Sequence, residues 1–210
     1  MLWVMSRAAK FPRWPPVPGL ALAVALAVAA CSSSTAATSS PGATSTAPDS
    51  PTPPQEETDM AGFVLISPSF ADGGAIPSKH TCDGADVSPA LSWSGAPAGT
   101  AAFALIVDDP DARGGFIHWV AYNMAGGTSG SLPEGVGAGG PPPQGRSDFG
   151  RAGWGGPCPP GGTHHYVFTL YALSGQLALT GAPSADSVRS AMAGKILAQT
   201  RLIGTYKRAG

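Results

Sequence analysis

From Phe63 onward the chain is a series of short β-favouring runs interrupted by Gly, Pro, Asp and Asn, and this punctuation limits what it can fold into. The runs are Phe63-Val64-Leu65-Ile66, Ala90-Leu91-Ser92-Trp93, Ala102 to Val107, Ile117 to Met124, Tyr166 to Leu173, and Arg201 to Tyr206. One helix stands apart. Ser184 can cap it, Asp186 sits in its first turn, and Val188, Met192 and Ile196 recur on one face. Between the fourth and fifth runs, residues 125–165 read as a long Gly- and Pro-rich loop, a length that in a compact domain usually serves function. The expected architecture is a mainly antiparallel β-sandwich with Greek-key connections and a short C-terminal helix.

The N-terminal portion obeys different physics. Arg7, Lys10 and Arg13 precede an uncharged Leu, Ala and Val run from Gly19 to Ala30, which is short for a bilayer span and has the shape of a signal peptide. It ends Val28-Ala29-Ala30-Cys31, which resembles the lipobox at which bacterial lipoproteins are acylated on Cys and cleaved before it. An ordinary secretory cleavage beside an incidental Cys31, or a weak membrane anchor, is the alternative to that specific match. Ser32 to Asp59 is Ser, Thr, Ala and Pro with almost no large apolar residue, so it cannot bury enough surface to offset its chain entropy. It reads as a tether, and a glycosylated stalk would share its composition. Three parts follow: a lipoprotein signal peptide over residues 1–30, lipidated Cys31 and its tether over 31–61, and a folded domain over 62–210. The chain is expected at the cell membrane, outside the cytoplasm, held by acyl chains on Cys31.

Removing residues 1–30 takes three of the 12 basic residues and none of the 13 acidic ones, leaving a formal charge of −4. No basic stripe or Lys/Arg cluster interleaved with aromatics is present, so nucleic acid is not an expected partner. With Cys31 assigned to lipid, Cys82 and Cys158 are an even pair in an oxidising compartment and are expected to be bonded; two free buried thiols are the alternative.

Four polar clusters lie at strand ends. Asp108-Asp109-Pro110-Asp111 follows an apolar run, and alone it reads as a turn. His118-Trp119 lies within a strand, where alternation puts the two side chains on opposite faces and a lone histidine is usually a satisfied core residue. In Gly155-Gly156-Pro157-Cys158-Pro159-Pro160-Gly161-Gly162 the prolines stiffen the backbone while the glycines let N–H groups approach a ligand, although a rigid turn would look the same. In His164-His165-Tyr166 the outer two residues share a face and His165 takes the other. Pooled, a carboxylate, two imidazoles, a phenol and glycine N–H donors suit a small oxyanion such as phosphate. A carboxylate beside an imidazole also favours the protonated ring and fixes which nitrogen faces the ligand.

These clusters, taken with Thr81-Cys82-Asp83-Gly84, Ser88-Pro89-Ala90-Leu91-Ser92-Trp93 and Leu202-Ile203-Gly204-Thr205-Tyr206, resemble the phosphatidylethanolamine-binding protein family in its bacterial, Raf-kinase-inhibitor-like branch. The resemblance spans Phe63 to Arg208 and implies a β-sandwich with a small ligand cavity. Its pocket residues fall on Asp109, Asp111, His118, His164 and Tyr166, with Gly156 and Pro157 at the rim. Two departures stand out: Ala112-Arg113 follows Asp-Pro-Asp where the family commonly has Ala-Pro, and His165 stands where Arg is common.

The leading functional expectation is a non-enzymatic module that binds a phosphate-bearing headgroup or similar small anion. The alternative is a protein-interaction or inhibitory module whose partner docks at the pocket rim. An enzyme ranks third, because there is no Gly-x-Ser-x-Gly elbow, His-Glu-x-x-His helix or Cys-x-x-Cys pair. Asp109, His118 and His164 are a usable ligand set, but the resemblance implies a metal-free site, and no cofactor is expected.

Overall fold

The structure, a computed structural model, describes residues 62–208, so the signal segment, Cys31 and the tether lie outside the described residues. Its strands are β1 (Val64–Ile66), β2 (Gly74–Ala75), β3 (Leu91–Ser94), β4 (Ala102–Asp109), β5 (Phe116–Ala125), β6 (Ser129–Leu132), β7 (His164–Leu173) and β8 (Ile196–Tyr206), and helix α1 (Ala185–Met192) precedes the last. They form a three-stranded sheet in the order β1-β3-β6 and a five-stranded sheet in the order β2-β8-β7-β4-β5. The fold is mainly β, with two sheets and one short helix. Pairing is antiparallel except between β2 and β8, which run parallel. After β5 the chain crosses to the small sheet as β6 and returns as β7 beside β4.

Alternation along β4, an interior strand of the large sheet, divides the core. Phe103, Leu105 and Val107 of β4 join Trp119, Phe168 and Leu170 between the sheets. Ala104 and Ile106 face the other way, onto Val188 and Met192 of α1. Both sides of β4 are therefore covered, which is why its run is apolar without a polar face.

Three expectations change. The long 125–165 segment is not all loop, because Ser129–Leu132 pairs with β3. That strand is short and made of Ser and Gly apart from one leucine, so it carries no hydrophobic alternation to read. The helix stops at Met192, and Ile196 opens β8 rather than closing the helical face. Gly194, at φ 72°, takes the left-handed conformation that turns the chain out of the helix. The last strand consequently begins five residues before Arg201.

Candidate functional site

The polar clusters converge because of strand parity and one irregularity. Asp109 continues the inward row of β4 beyond Val107 and is 3 % exposed. Tyr166 continues the inward row of β7, and His164 lies one step further on the same side. His118 breaks the rule. Val107 pairs with Trp119 and Asp108 with Ile117, so His118 is the extra residue of a β-bulge between them. The bulge puts His118 on the same side as Trp119 and Phe116, correcting the expectation that His118 and Trp119 point to opposite faces.

The result is a recess of about 370 Å³ lined by Asp109, Ala112, Phe116, His118, Phe149, Cys158, Pro159, Pro160, His164 and Tyr166. His118 is packed among rings: Tyr166 meets it edge-on at 5.0 Å, Phe116 lies at 5.1 Å and Phe149 at 5.4 Å. Its Nδ1–H donates to the carbonyl of Gly155 at 2.7 Å. Burial holds its pKa below the ordinary histidine value, against the smaller opposing pulls of that carbonyl and of Asp109, Asp148 and Asp86. His164 Nδ1 meets Asp109 Oδ2 at 2.7 Å, while Asp109 Oδ1 accepts the N–H groups of Asp111 and Ala112 at 2.9 and 3.1 Å. Asp109 thus orients His164 and closes its own turn. Burial first, and the charges of Asp109 and Asp111 next, push the Tyr166 phenol well above its usual pKa, so the O–H is retained. That hydroxyl has no hydrogen-bond partner although its residue is fully buried.

The remaining expected residues do different work. Asp111 faces out and binds the edge of β7, accepting from His165 Nδ1 at 2.8 Å and from the His165 backbone N–H at 2.7 Å. Gly155 N–H donates to the carbonyl of His118, and Gly156 N–H donates to Asp86 Oδ1 at 2.6 Å. Both glycine donors expected for the ligand are therefore held by the protein. The carbonyl of Pro157 accepts from Cys82 N–H, beside the Cys82–Cys158 bond of 2.10 Å, and it is Cys158, Pro159 and Pro160 that form the wall. Gly156 has its own reason to be glycine: a Cβ there would strike the His80 carbonyl and lie 2.6 Å from Asp86 Oδ1.

Phe116, Phe149 and Asp86 were not singled out from sequence, and Ala112 only as part of a departure from the family pattern. Asp86 lies 70 residues from Gly156 and no local motif ties the two. A second recess of about 370 Å³ lies on the helix side of β4, between Asp108, Asp148, Asp186, Arg146 and Arg189. Burial raises the pKa of Asp108 there, but no buried side-chain atom lining it lacks a partner. Among the described residues, no group of three His, Cys, Asp or Glu side chains could hold a metal, and no helix is long and apolar enough to cross a membrane.

The burial of His118 has a consequence for stability. The unfolded ring takes up a proton as pH falls through about 6.5, whereas the folded ring resists it. Its contribution is full above that pH and is lost below it. Urea midpoints should fall between about pH 7.5 and pH 5.5, and fall less in His118→Gln.

The family model described as phosphatidylethanolamine-binding protein matches residues 66–207. A UPF0098 protein of Aquifex aeolicus is 47 % identical over 154 residues, covering 69 % of this chain and 88 % of its own. A Mycobacterium tuberculosis protein named "Putative lipoprotein LppC" is 46 % identical over 155 residues, covering 69 % of this chain and 72 % of its own. Among solved structures, YbcL of E. coli, described as a new member of the mammalian PEBP family, superposes with a TM-score of 0.64 at 33 % identity, covering 70 % of this chain and 99 % of YbcL. CT736 of Chlamydia trachomatis gives 0.65 at 36 % identity, with coverages of 70 % and 99 %.

Proposed function

Because this chain belongs to the phosphatidylethanolamine-binding protein family, we propose that it is a non-enzymatic binding protein whose recess takes a phosphate-bearing headgroup or similar small oxyanion, held outside the cytoplasmic membrane by acylated Cys31. One observation carries the binding site: the fully buried, unpartnered hydroxyl of Tyr166 in a recess walled mostly by rings and prolines. A buried hydroxyl without a partner costs about 1–3 kcal/mol, and a ligand oxygen accepting its proton would offset that cost. The two imidazoles lie against the same space, and Asp109 fixes one of them. Membrane attachment rests on the Ala29-Ala30-Cys31 sequence and on the similarity to LppC.

Tyr166→Phe tests the site cleanly, because it removes the hydroxyl and leaves the ring. The variant should bind inorganic phosphate or phosphoethanolamine about tenfold more weakly, as expected for loss of a hydrogen bond to a charged group, while its unfolding midpoint stays equal or rises. Equal affinity in the two proteins would refute the recess as the binding site.

A second reading, a protein partner docking over the rim, rests on Phe149. Its ring is 42 % exposed at the mouth of the recess, with the Arg151 guanidinium 5.8 Å from its centroid. An aromatic and an arginine together are the usual anchors of a protein interface. Pull-down with Phe149→Ala against wild type separates the readings, since a binder of small anions alone retains no partner in either form.

A further inference from the structure

The peptide group between Gly155 and Gly156 is engaged at both ends. Its carbonyl oxygen accepts from His118 Nδ1 at 2.7 Å, and its N–H donates to Asp86 Oδ1 at 2.6 Å. A carbonyl can only accept, so Nδ1 carries a proton whether the ring is neutral or charged, and Nε2 is the nitrogen left for the recess. Both glycines are buried, and the N–H of Gly155 is itself held by the His118 carbonyl at 3.1 Å. The orientation of the imidazole and the orientation of this peptide are therefore one variable.

Asp86 is built into the loop for this contact. Its φ is 53°, a backbone conformation that Asp and Asn take more readily than most residues. Its other carboxylate oxygen lies 3.4 Å from Arg151 Nη2, and Arg151 Nη1 donates to the Trp154 carbonyl at 2.6 Å, so the acid is tied to the residue before the paired glycines as well. A carboxylate that accepts from a peptide N–H polarises that peptide and strengthens the bond made by its carbonyl, by roughly 10–30 %. The charge of Asp86 is also one of three, with Asp109 and Asp148, that act on the His118 ring.

We propose that Asp86 is a positioning residue of the recess: through the Gly155–Gly156 peptide it holds the proton of His118 on Nδ1 and so turns Nε2 to the ligand. Each recess imidazole is then set by an aspartate, His164 by direct contact with Asp109 and His118 by Asp86 across one amide. The inference rests on the oxyanion reading above for what Nε2 meets, whereas the state of the ring follows from the fold alone.

The test is nitrogen-15 NMR of the imidazole rings in the full-length chain at about pH 8, above the ordinary histidine value, with the His118 signals assigned by their loss in His118→Gln. Wild type should show a proton on Nδ1 and none on Nε2. Asp86→Asn suits the same backbone conformation and keeps an oxygen facing Gly156 without the charge. The Gly156 amide proton and the His118 Nδ1 proton should both move upfield in it, with the tautomer kept. Asp86→Gly removes the acceptor without straining the backbone, so Nε2–H should appear beside Nδ1–H. Calorimetry should show Kd for inorganic phosphate rising about tenfold in Asp86→Gly and about threefold or less in Asp86→Asn. A Gly156 proton that moves in Asp86→Asn while the His118 proton stays put overturns the relay and leaves Asp86 an anchor of the loop. Wild-type ring signals in Asp86→Gly overturn it equally, even where phosphate affinity falls. Altered ring signals with unchanged affinity overturn the link from Nε2 to the ligand. If wild type binds no phosphate, the oxyanion reading fails, and the ring signals still decide what Asp86 does.

Discussion

Replacing both Cys82 and Cys158 with alanine should lower the unfolding free energy by about 4 kcal/mol, read from urea unfolding at fixed pH. The bond closes a loop with a sequence separation of 76 residues, and a cross-link of that span removes much of the freedom of the unfolded chain. The folded state should barely change shape, since Cys82 N–H still donates to the Pro157 carbonyl when the sulfurs are gone. The effect reaches the recess because Cys158, Pro159 and Pro160 are its wall and the bond ties that wall to the 82 loop. Reductant should reproduce the loss in wild type and do nothing to the double variant. A loss below about 1 kcal/mol would mean that the two halves of the loop stay associated in the unfolded chain.

Trp154→Ala should cost a comparable amount, about 4 kcal/mol, within the range for emptying a large aromatic site from a core. The indole stacks on Phe168 at 5.9 Å and meets Trp119 edge-on at 5.8 Å, so it is wedged between β5 and β7 from the loop side. Its Nε1–H donates to the buried carbonyl of His80 at 3.2 Å, and truncation leaves that oxygen unpartnered. The next residue supplies the carbonyl that fixes the His118 tautomer, so the same change should weaken phosphate binding as well as stability. Thermal and urea unfolding measure the first effect and calorimetry the second. A variant of wild-type stability would show that the indole is not the wedge described here.

Much of this was legible in the sequence, and where it was not the reason is physical. Alternation puts His164 and Tyr166 on one face of β7 from residue order alone, whereas Asp109 follows a run with no polar face and joins them only through the family resemblance. His118 could not be placed by alternation, because a bulge is a pairing mismatch between two strands and leaves no mark on either. The Gly155-Gly156 donors misled for a related reason. Glycine lets an N–H group approach a ligand closely, but here both N–H groups are held by His118 and Asp86, distant in the chain. The outward turn of Asp111 was not legible because its partner is His165, one of this chain's departures from the family pattern. The helix overran by one turn because the Ile196 spacing is genuinely helical and only the backbone at Gly194 ends it.

The folded body also has a direction. Phe63, its second described residue, packs against Phe103 at one end of β4 with the ring centroids 6.2 Å apart, and Asp109 stands at the other end. Six residue steps separate Phe103 from Asp109, which is about 20 Å. The chain therefore enters the folded body at the end of β4 away from the recess, so that a change at the entry point reaches the site only through the length of that strand.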